Sequence, residues 1–173
     1  MPANILRASS AVLFAFALTV TSAAVGKAED GIVKVKSAYS VGETIARLKK
    51  DIAAKGIMFF SEIDQSKLAA NAGVTLRPST LLVFGNPPLG TQFITSNANA
   101  GLDWPVRLLV MQDPTDARAG RSPSARQREE AGAVWTVYTD FAWIAARHGI
   151  ANRADQFKMA SMVIASITSS VKA

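Results

Sequence analysis

The chain has 173 residues, of which 49% are hydrophobic and 18% charged, and it carries a formal net charge of +6. These proportions are typical of one globular domain, and the lack of cysteine excludes disulfides, thiolate catalysis and cysteine-ligated iron–sulfur clusters. The basic side chains are scattered along the sequence rather than grouped in one stripe, so we expect no nucleic-acid partner.

Residues 1–28 have the pattern of a secretory signal peptide. The basic residue Arg7 precedes an apolar run over residues 11–20, and small residues follow. This order predicts cleavage after Ala24 or after Ala28. A membrane anchor is the alternative, but the apolar run is shorter than the roughly 20 residues that span a bilayer. We therefore expect a periplasmic or secreted protein that has no stable membrane span after cleavage.

The first part of the mature chain predicts a strand, a helix and a second strand. Residues 32–36 alternate apolar and basic side chains, as a half-buried strand does. Ser40 and Glu43 form a capping-box pattern before a helix whose apolar residues recur at helical spacing, and Gly56 ends this helix. Residues 57–63 are apolar and aromatic and predict a buried strand.

The pattern of strands and helices continues to the end of the chain. Asp64 is placed to cap a short helix, and Asn152 to cap a last helix with one apolar face. The remaining predicted strands span residues 80–84, 106–111 and 134–138, and the remaining predicted helices span residues 91–98 and 141–147. Because strands and helices interleave, we expect an α/β (α+β) two-layer sandwich, with one mixed sheet of about five strands covered by helices. A single domain over residues 32–173 follows.

Residues 113–130 differ in composition from the rest of this domain. They contain Pro114, Gly120 and Pro123, four arginines and four acidic residues, and almost no large apolar side chain. Such a segment cannot bury enough apolar surface to offset the entropy of ordering it. The sequence therefore predicts a flexible insertion between the fourth and fifth strands.

The stretch FGNPPLG at residues 84–90 raises the question of a phosphate site. With Thr91 it has the glycine spacing of a phosphate-binding loop, which works through backbone N–H groups and a lysine. Here the lysine is missing, and Pro87 and Pro88 each remove an N–H donor. The better interpretation is a turn that ends a strand and precedes a helix, in which Gly85 is expected to adopt a positive φ.

Four stretches of the sequence resemble a known bacterial family. They are GIMFFSEIDQSKLAANAG, LRPSTLLVFGNPPLGT, AGLDWPVRLLVMQD and WTVYTDFAWIAARHGI. Together, over about residues 34–150, they resemble the domain of unknown function 302 family. The resemblance implies a compact α/β sandwich that forms a homodimer and has no established activity. This chain departs from the family at Gln65, where members often have histidine, and in the length of its 113–130 segment.

The candidate ligand-binding residues are Asp64, Gly85, Asn86, Asp140 and His148. Gly85 and Asn86 are expected at a cleft on the sheet edge, which favours a non-enzymatic module that binds a small ligand or an envelope protein. The alternative is a hydrolase-like or other enzyme that uses Asp64 or Asp140 together with His148. A single histidine at a helix end, without cysteines, is more typical of a helix cap than of a metal ligand. We therefore predict neither a metal site nor a cofactor.

Export is tested by the intact mass of the protein recovered from the cell envelope. We expect the recovered chain to begin between Ala24 and Ile32, because the small residues there are the kind that signal peptidase cleaves after. A chain in that fraction that still begins at Met1 would contradict the signal-peptide interpretation.

Overall fold

The computed structural model describes residues 31–113, 132–150 and 154–173. The predicted signal peptide, the predicted insertion from residue 114 onward and the predicted Asn152 cap lie outside these residues. Those three features therefore stay predictions from the sequence.

Five strands form one sheet in this part of the chain. They are β1 (Ile32–Ser37), β2 (Met58–Asp64), β3 (Ser79–Gly85), β4 (Val106–Gln112) and β5 (Val134–Thr139). They lie side by side in the order β1–β5–β4–β3–β2. The predicted α+β sandwich of about five strands is confirmed.

The sheet differs from the predicted mixed sheet because all four described pairings are antiparallel. A mixed sheet contains at least one parallel pair, and parallel neighbours are usually joined through a helix. Here β1 and β2 lie at opposite edges of the sheet, so the helix between them connects strands that never pair. The local sequence pattern did not predict which strands would become neighbours in the sheet.

Five α-helices and one 3₁₀ helix accompany the sheet within the described ranges. They are α1 (Val41–Ala54), α2 (Gln65–Asn71), α3 (Pro87–Ser96), the 3₁₀ helix (Ala98–Leu102), α4 (Phe141–Arg147) and α5 (Ala154–Ser169). None of these described helices is long and apolar enough to cross a membrane.

The start of α1 follows the predicted capping pattern in part. The Ser40 hydroxyl accepts a hydrogen bond from the backbone N–H of Glu43, at 3.3 Å. The Glu43 carboxylate pairs with Arg47 one turn along the helix, at 3.0 Å, instead of reaching back to the cap. Gly56 follows the helix with a φ of 64°, a conformation that glycine adopts without steric cost. The predicted end of this helix is thus confirmed.

The helix α3 begins earlier than predicted, at Pro87 rather than at residue 91. The first N–H groups of a helix have no partner within the helix, so a proline there loses no hydrogen bond. Pro87 and Pro88 occupy these first positions, and Asn86 precedes them as the N-cap. The prolines therefore belong to the helix, where sequence reasoning had assigned them to a turn.

The hydrophobic core lies on one face of the sheet. Leu82 of β3 and Leu108 of β4 are fully buried on this face, where they belong to one cluster with Leu48 of α1 and Ile167 of α5. Residues that alternate with them along the strands, such as Leu109, are only half-buried. Alternation of this kind is typical of an antiparallel sheet with one face packed by helices.

The prediction that β2 is buried was wrong. This strand forms an edge of the sheet, and its Met58 and Phe60 side chains are 53% and 42% exposed. An apolar run fits a buried strand, but its place within a sheet depends on pairing with distant segments. An irregularity in the pairing between Phe59 and Ser61 accompanies a contact of Phe60 with Trp104, whose ring centroids are 6.1 Å apart.

Candidate functional site

An apolar cavity of about 430 Å³ lies where the FGNPPLG stretch leaves the sheet. Its described lining comes from the ends of β3 and β4, from α3 and α4, and from α5. The rings of Phe84, Phe93, Trp104 and Phe141 contribute to this lining, and most of the remainder is aliphatic. Phe93 and Phe141 meet edge to face, with ring centroids 5.3 Å apart. The cavity is thus built by segments that are distant in sequence.

Two glycines of the FGNPPLG stretch make room for the indole of Trp104. A Cβ atom on Gly90 would lie only 1.9 Å from Trp104 Cε2, and one on Gly85 would lie 3.1 Å from Trp104 Nε1. The prediction of a positive φ at Gly85 was wrong, since Gly85 is the last residue of β3 and its φ is not positive. Glycine is needed at these positions for the close approach of a ring, not for an unusual backbone conformation.

Asn86 lines the cavity and caps α3. Its Oδ1 atom accepts a hydrogen bond from the N–H of Leu89 at 3.2 Å, and its carbonyl oxygen accepts one from Gly90 at 2.8 Å. Pro87 and Pro88 have no N–H to offer. The first turn of α3 therefore presents no array of free N–H groups to a phosphate, which supports the sequence interpretation that this stretch is not a phosphate-binding loop.

Asp140 and His148 lie at the two ends of α4. The Asp140 Oδ1 atom accepts hydrogen bonds from the N–H groups of Ala142 and Trp143, at 2.8 and 3.1 Å, so this carboxylate is an N-cap. His148 is at the C-cap position, as the sequence predicted. With a rise of about 1.5 Å per residue, eight residues separate the two ends by roughly 12 Å. The helix keeps these two side chains apart.

His148 has a partner that sequence reasoning missed. Its Nε2 atom lies 2.7 Å from Asp103 Oδ2, and both side chains are largely shielded from solvent. Arg107 also contacts Asp103, at 3.4 Å. Because Asp103 immediately precedes Trp104, this pair ties the end of α4 to the segment that places the indole in the cavity wall. The Leu-Asp-Trp-Pro stretch at residues 102–105 contains this carboxylate, but it lies 45 residues from His148 in sequence, so no local pattern links the two.

The titratable candidates do not assemble into a catalytic site. Asp64 caps α2 through Lys67 and is paired in register with Thr80, at the end of the sheet opposite Gly85 and His148. Along β3, Thr80 and Gly85 are five residues apart, or roughly 17 Å. No group of three or more metal-ligating side chains occurs in the described ranges.

Tyr138 is a further titratable group, but it belongs to the core. Burial raises the pKa of its phenol above the ordinary value, so the group is neutral at pH 7. Its side chain is only 6% exposed and is part of the hydrophobic cluster. It does not line the cavity described above. Tyr138 therefore supplies no acid or base to that site.

Fold and site together define a class of protein: an α+β domain with one antiparallel sheet and an apolar cavity at the end of its third strand in sequence. A family model matches residues 33–119 of this chain, and it describes a domain of unknown function, DUF302. The chain belongs to this family. The resemblance seen in the sequence is thereby confirmed.

A solved structure of the same family has a similar fold. It is the crystal structure of an uncharacterized conserved protein from Bacillus stearothermophilus, with a TM-score of 0.67 and 14% sequence identity. The match covers 82% of this chain and 98% of that one. At this low identity the likeness shows the fold alone.

Two similar sequences come from Brucella. Proteins named fluoride-specific ion channel FluC 1, from Brucella suis biovar 1 (strain 1330) and Brucella abortus biovar 1 (strain 9-941), are each 33% identical over 127 residues. The match covers 73% of this chain but only 44% and 41% of those proteins. The chain therefore spans less than half the length of these curated relatives.

The fit of Trp104 against Gly90 predicts the effect of a single methyl group. Gly90→Ala should lower the free energy of unfolding by roughly 1–3 kcal/mol, because the new Cβ must displace the indole. Gly42→Ala is the matched control, since Gly42 is also helical and a Cβ there meets nothing within 4 Å. We expect this control to leave stability unchanged or slightly raised, since alanine favours helix. Urea denaturation gives both values, and equal stability of Gly90→Ala and the unmodified protein would contradict the close fit.

Proposed function

We propose that this chain is a non-enzymatic domain that binds a small, largely apolar ligand in the cavity beside Trp104. The observation that carries the proposal is the cavity itself, at about 430 Å³ and with four aromatic rings in its lining. Small-molecule sites occupy clefts of roughly 300–1,000 Å³ that are mainly apolar with a few polar groups. Gly85 and Asn86, two of the residues singled out in the sequence, line this cavity.

The energy available for binding comes from burying apolar surface. Each CH₂ group that a ligand removes from water contributes about 0.8 kcal/mol. The rings and the aliphatic residues of the lining are held by the packing of five different elements, so much of the site exists before a ligand arrives. A preformed site avoids part of the ordering cost of binding.

The positions of the carboxylates favour binding over catalysis. Asp64 and Asp140 both accept hydrogen bonds from backbone N–H groups as helix caps. His148 is engaged by Asp103. A general acid or base must reach a substrate atom in the same site, and these groups lie at separate ends of helices and of the sheet.

An exported location and a homodimer are further parts of the proposal. Export is supported by the signal-peptide pattern of residues 1–28. The channel activity in the names of the Brucella relatives is not part of the proposal, because this chain spans less than half of those proteins.

Dimerisation is supported by an exposed apolar side chain on α5. Met162 is 71% exposed and does not line the cavity, and burying it against a second copy of the chain would remove apolar surface from water. Sedimentation velocity at tens of micromolar protein should show a dimer, and Met162→Glu should shift it toward monomer. Ala46→Glu, at an exposed position of α1, is the control and should leave the dimer intact. A monomeric unmodified protein would contradict this part of the proposal.

Ligand binding is tested with octanol, a neutral apolar probe, by isothermal titration calorimetry. We expect one site per chain in the unmodified protein. Val163→Phe places a ring in the cavity and should weaken binding by roughly tenfold or more, a loss of about 1.4 kcal/mol. Met162→Phe, one residue earlier on the exposed side of α5, should bind octanol as the unmodified protein does.

Two results would contradict the cavity as the binding site. One is the absence of octanol binding to the unmodified protein. The other is equal octanol affinity of Val163→Phe and Met162→Phe, with both variants as stable as the unmodified protein in urea denaturation. Binding elsewhere on the surface would give this second result.

A further inference from the structure

We infer that the ligand is a single-chain amphiphilic carboxylate, whose apolar body fills the cavity and whose carboxylate contacts Lys55. This inference rests on the proposed binding function and names the chemical class of the ligand. It depends on the charge, the hydrogen-bonding groups and the volume of the cavity.

Lys55 is the sole charged side chain in the described lining of the cavity. It lies at the C-cap of α1, is exposed and contributes to the cavity wall, so its flexible side chain can bring the ammonium group to the point where the cavity meets solvent. Its Nζ atom forms neither an ion pair nor a hydrogen bond with any described residue. By contrast, Lys49 on the same helix is paired with Glu62 at 2.8 Å. An unpaired cation beside an apolar cavity favours a ligand with an anionic end.

The other polar side chains of the described lining are also hydrogen-bond donors. They belong to Asn86 and Trp104. Asn86 Oδ1 accepts a hydrogen bond from the N–H of Leu89, and this bond fixes the orientation of the side-chain amide. The Nδ2 atom of the same amide donates to no described residue. The indole Nε1 of Trp104 likewise lacks an acceptor within the described ranges. A carboxylate oxygen accepts hydrogen bonds and donates none. It therefore matches a described lining in which three side chains carry N–H donors and no side chain is acidic.

The volume of the cavity limits the size of the apolar body. About 430 Å³ corresponds to roughly 14 water-sized volumes of about 30 Å³ each. One chain of roughly eight to ten carbon atoms fits this space, whereas the two acyl chains of a phospholipid do not. A medium-chain fatty acid or a similar single-chain carboxylate is therefore the class that combines the size, the apolar body and the anionic end.

The test compares octanoate, octanol and octylammonium, which share one chain and differ in the charge of the end group. By calorimetry at neutral pH and low salt, octanoate should bind roughly tenfold more tightly than octanol, and octylammonium more weakly than both. Added salt should weaken octanoate binding and leave octanol binding unchanged, because salt screens an exposed ion pair.

Two lysine variants assign the effect to one side chain. Lys55→Met should reduce the affinity for octanoate to that for octanol, while octanol affinity stays within about twofold of that of the unmodified protein. Lys50→Met is the control, since Lys50 is exposed on the same helix but does not line the cavity. This control should retain the full preference for octanoate.

The outcomes separate this inference from the proposed function. If octanoate and octanol bind the unmodified protein equally, or if Lys55→Met keeps the preference, the carboxylate inference is overturned while octanol binding still supports the cavity as a ligand site. If neither compound binds, both proposals are overturned. A preference that is lost in Lys55→Met and retained in Lys50→Met supports the inference.

Discussion

The close packing of the Trp104 indole against Gly85 and Gly90 is the contact on which the site depends. It brings together the end of β3, the start of α3 and the segment before β4. A methyl group on Gly90 would fall within the space of the ring, so the two glycines and the tryptophan form one steric unit. The cavity is bounded by this unit on one side and by α4 and α5 on the other. Its shape therefore follows from a few residues that cannot be enlarged independently.

Most polar side chains near the site form hydrogen bonds that hold helices and loops in position. Asn86 and Asp140 each accept hydrogen bonds from backbone N–H groups in the first turn of a helix. These N–H groups have no acceptor within the helix. The His148–Asp103 pair fixes the end of α4 to the segment that carries Trp104. Side chains that a sequence suggests as catalytic here hold helices in place, and the described lining of the cavity is mainly apolar.

The function proposed for this domain follows from this arrangement, in which polar side chains hold the helices and apolar side chains line the cavity. Its candidate site offers apolar rings, the charged side chain of Lys55 and few other polar groups among the described lining residues. Such a site is suited to holding an apolar molecule and orienting one charged end, and its described lining contains no acidic side chain or histidine. Binding is thus the activity for which the geometry is best suited.

Much of the secondary structure was predictable because its signals are local. The Ser40 cap, the Asp64 cap and the strand ahead of Gly85 appear as short patterns and occur where those patterns place them. Of the candidate residues, Gly85 and Asn86 lie at the cavity, whereas Asp64 lies at the far end of the sheet. The reason that Gly85 is glycine could not be found locally, since Trp104 approaches it from another part of the chain.

The sequence by itself determined most of the elements, the caps at Ser40 and Asp64 and the resemblance to the family, because hydrogen bonds and side-chain periodicity within a segment decide those features. Only the tertiary structure decided that the four described pairings are antiparallel, that β2 is an edge and that His148 meets Asp103. Those outcomes depend on contacts between segments far apart in the chain. Their energies come from packing in three dimensions, which no short stretch of residues encodes alone.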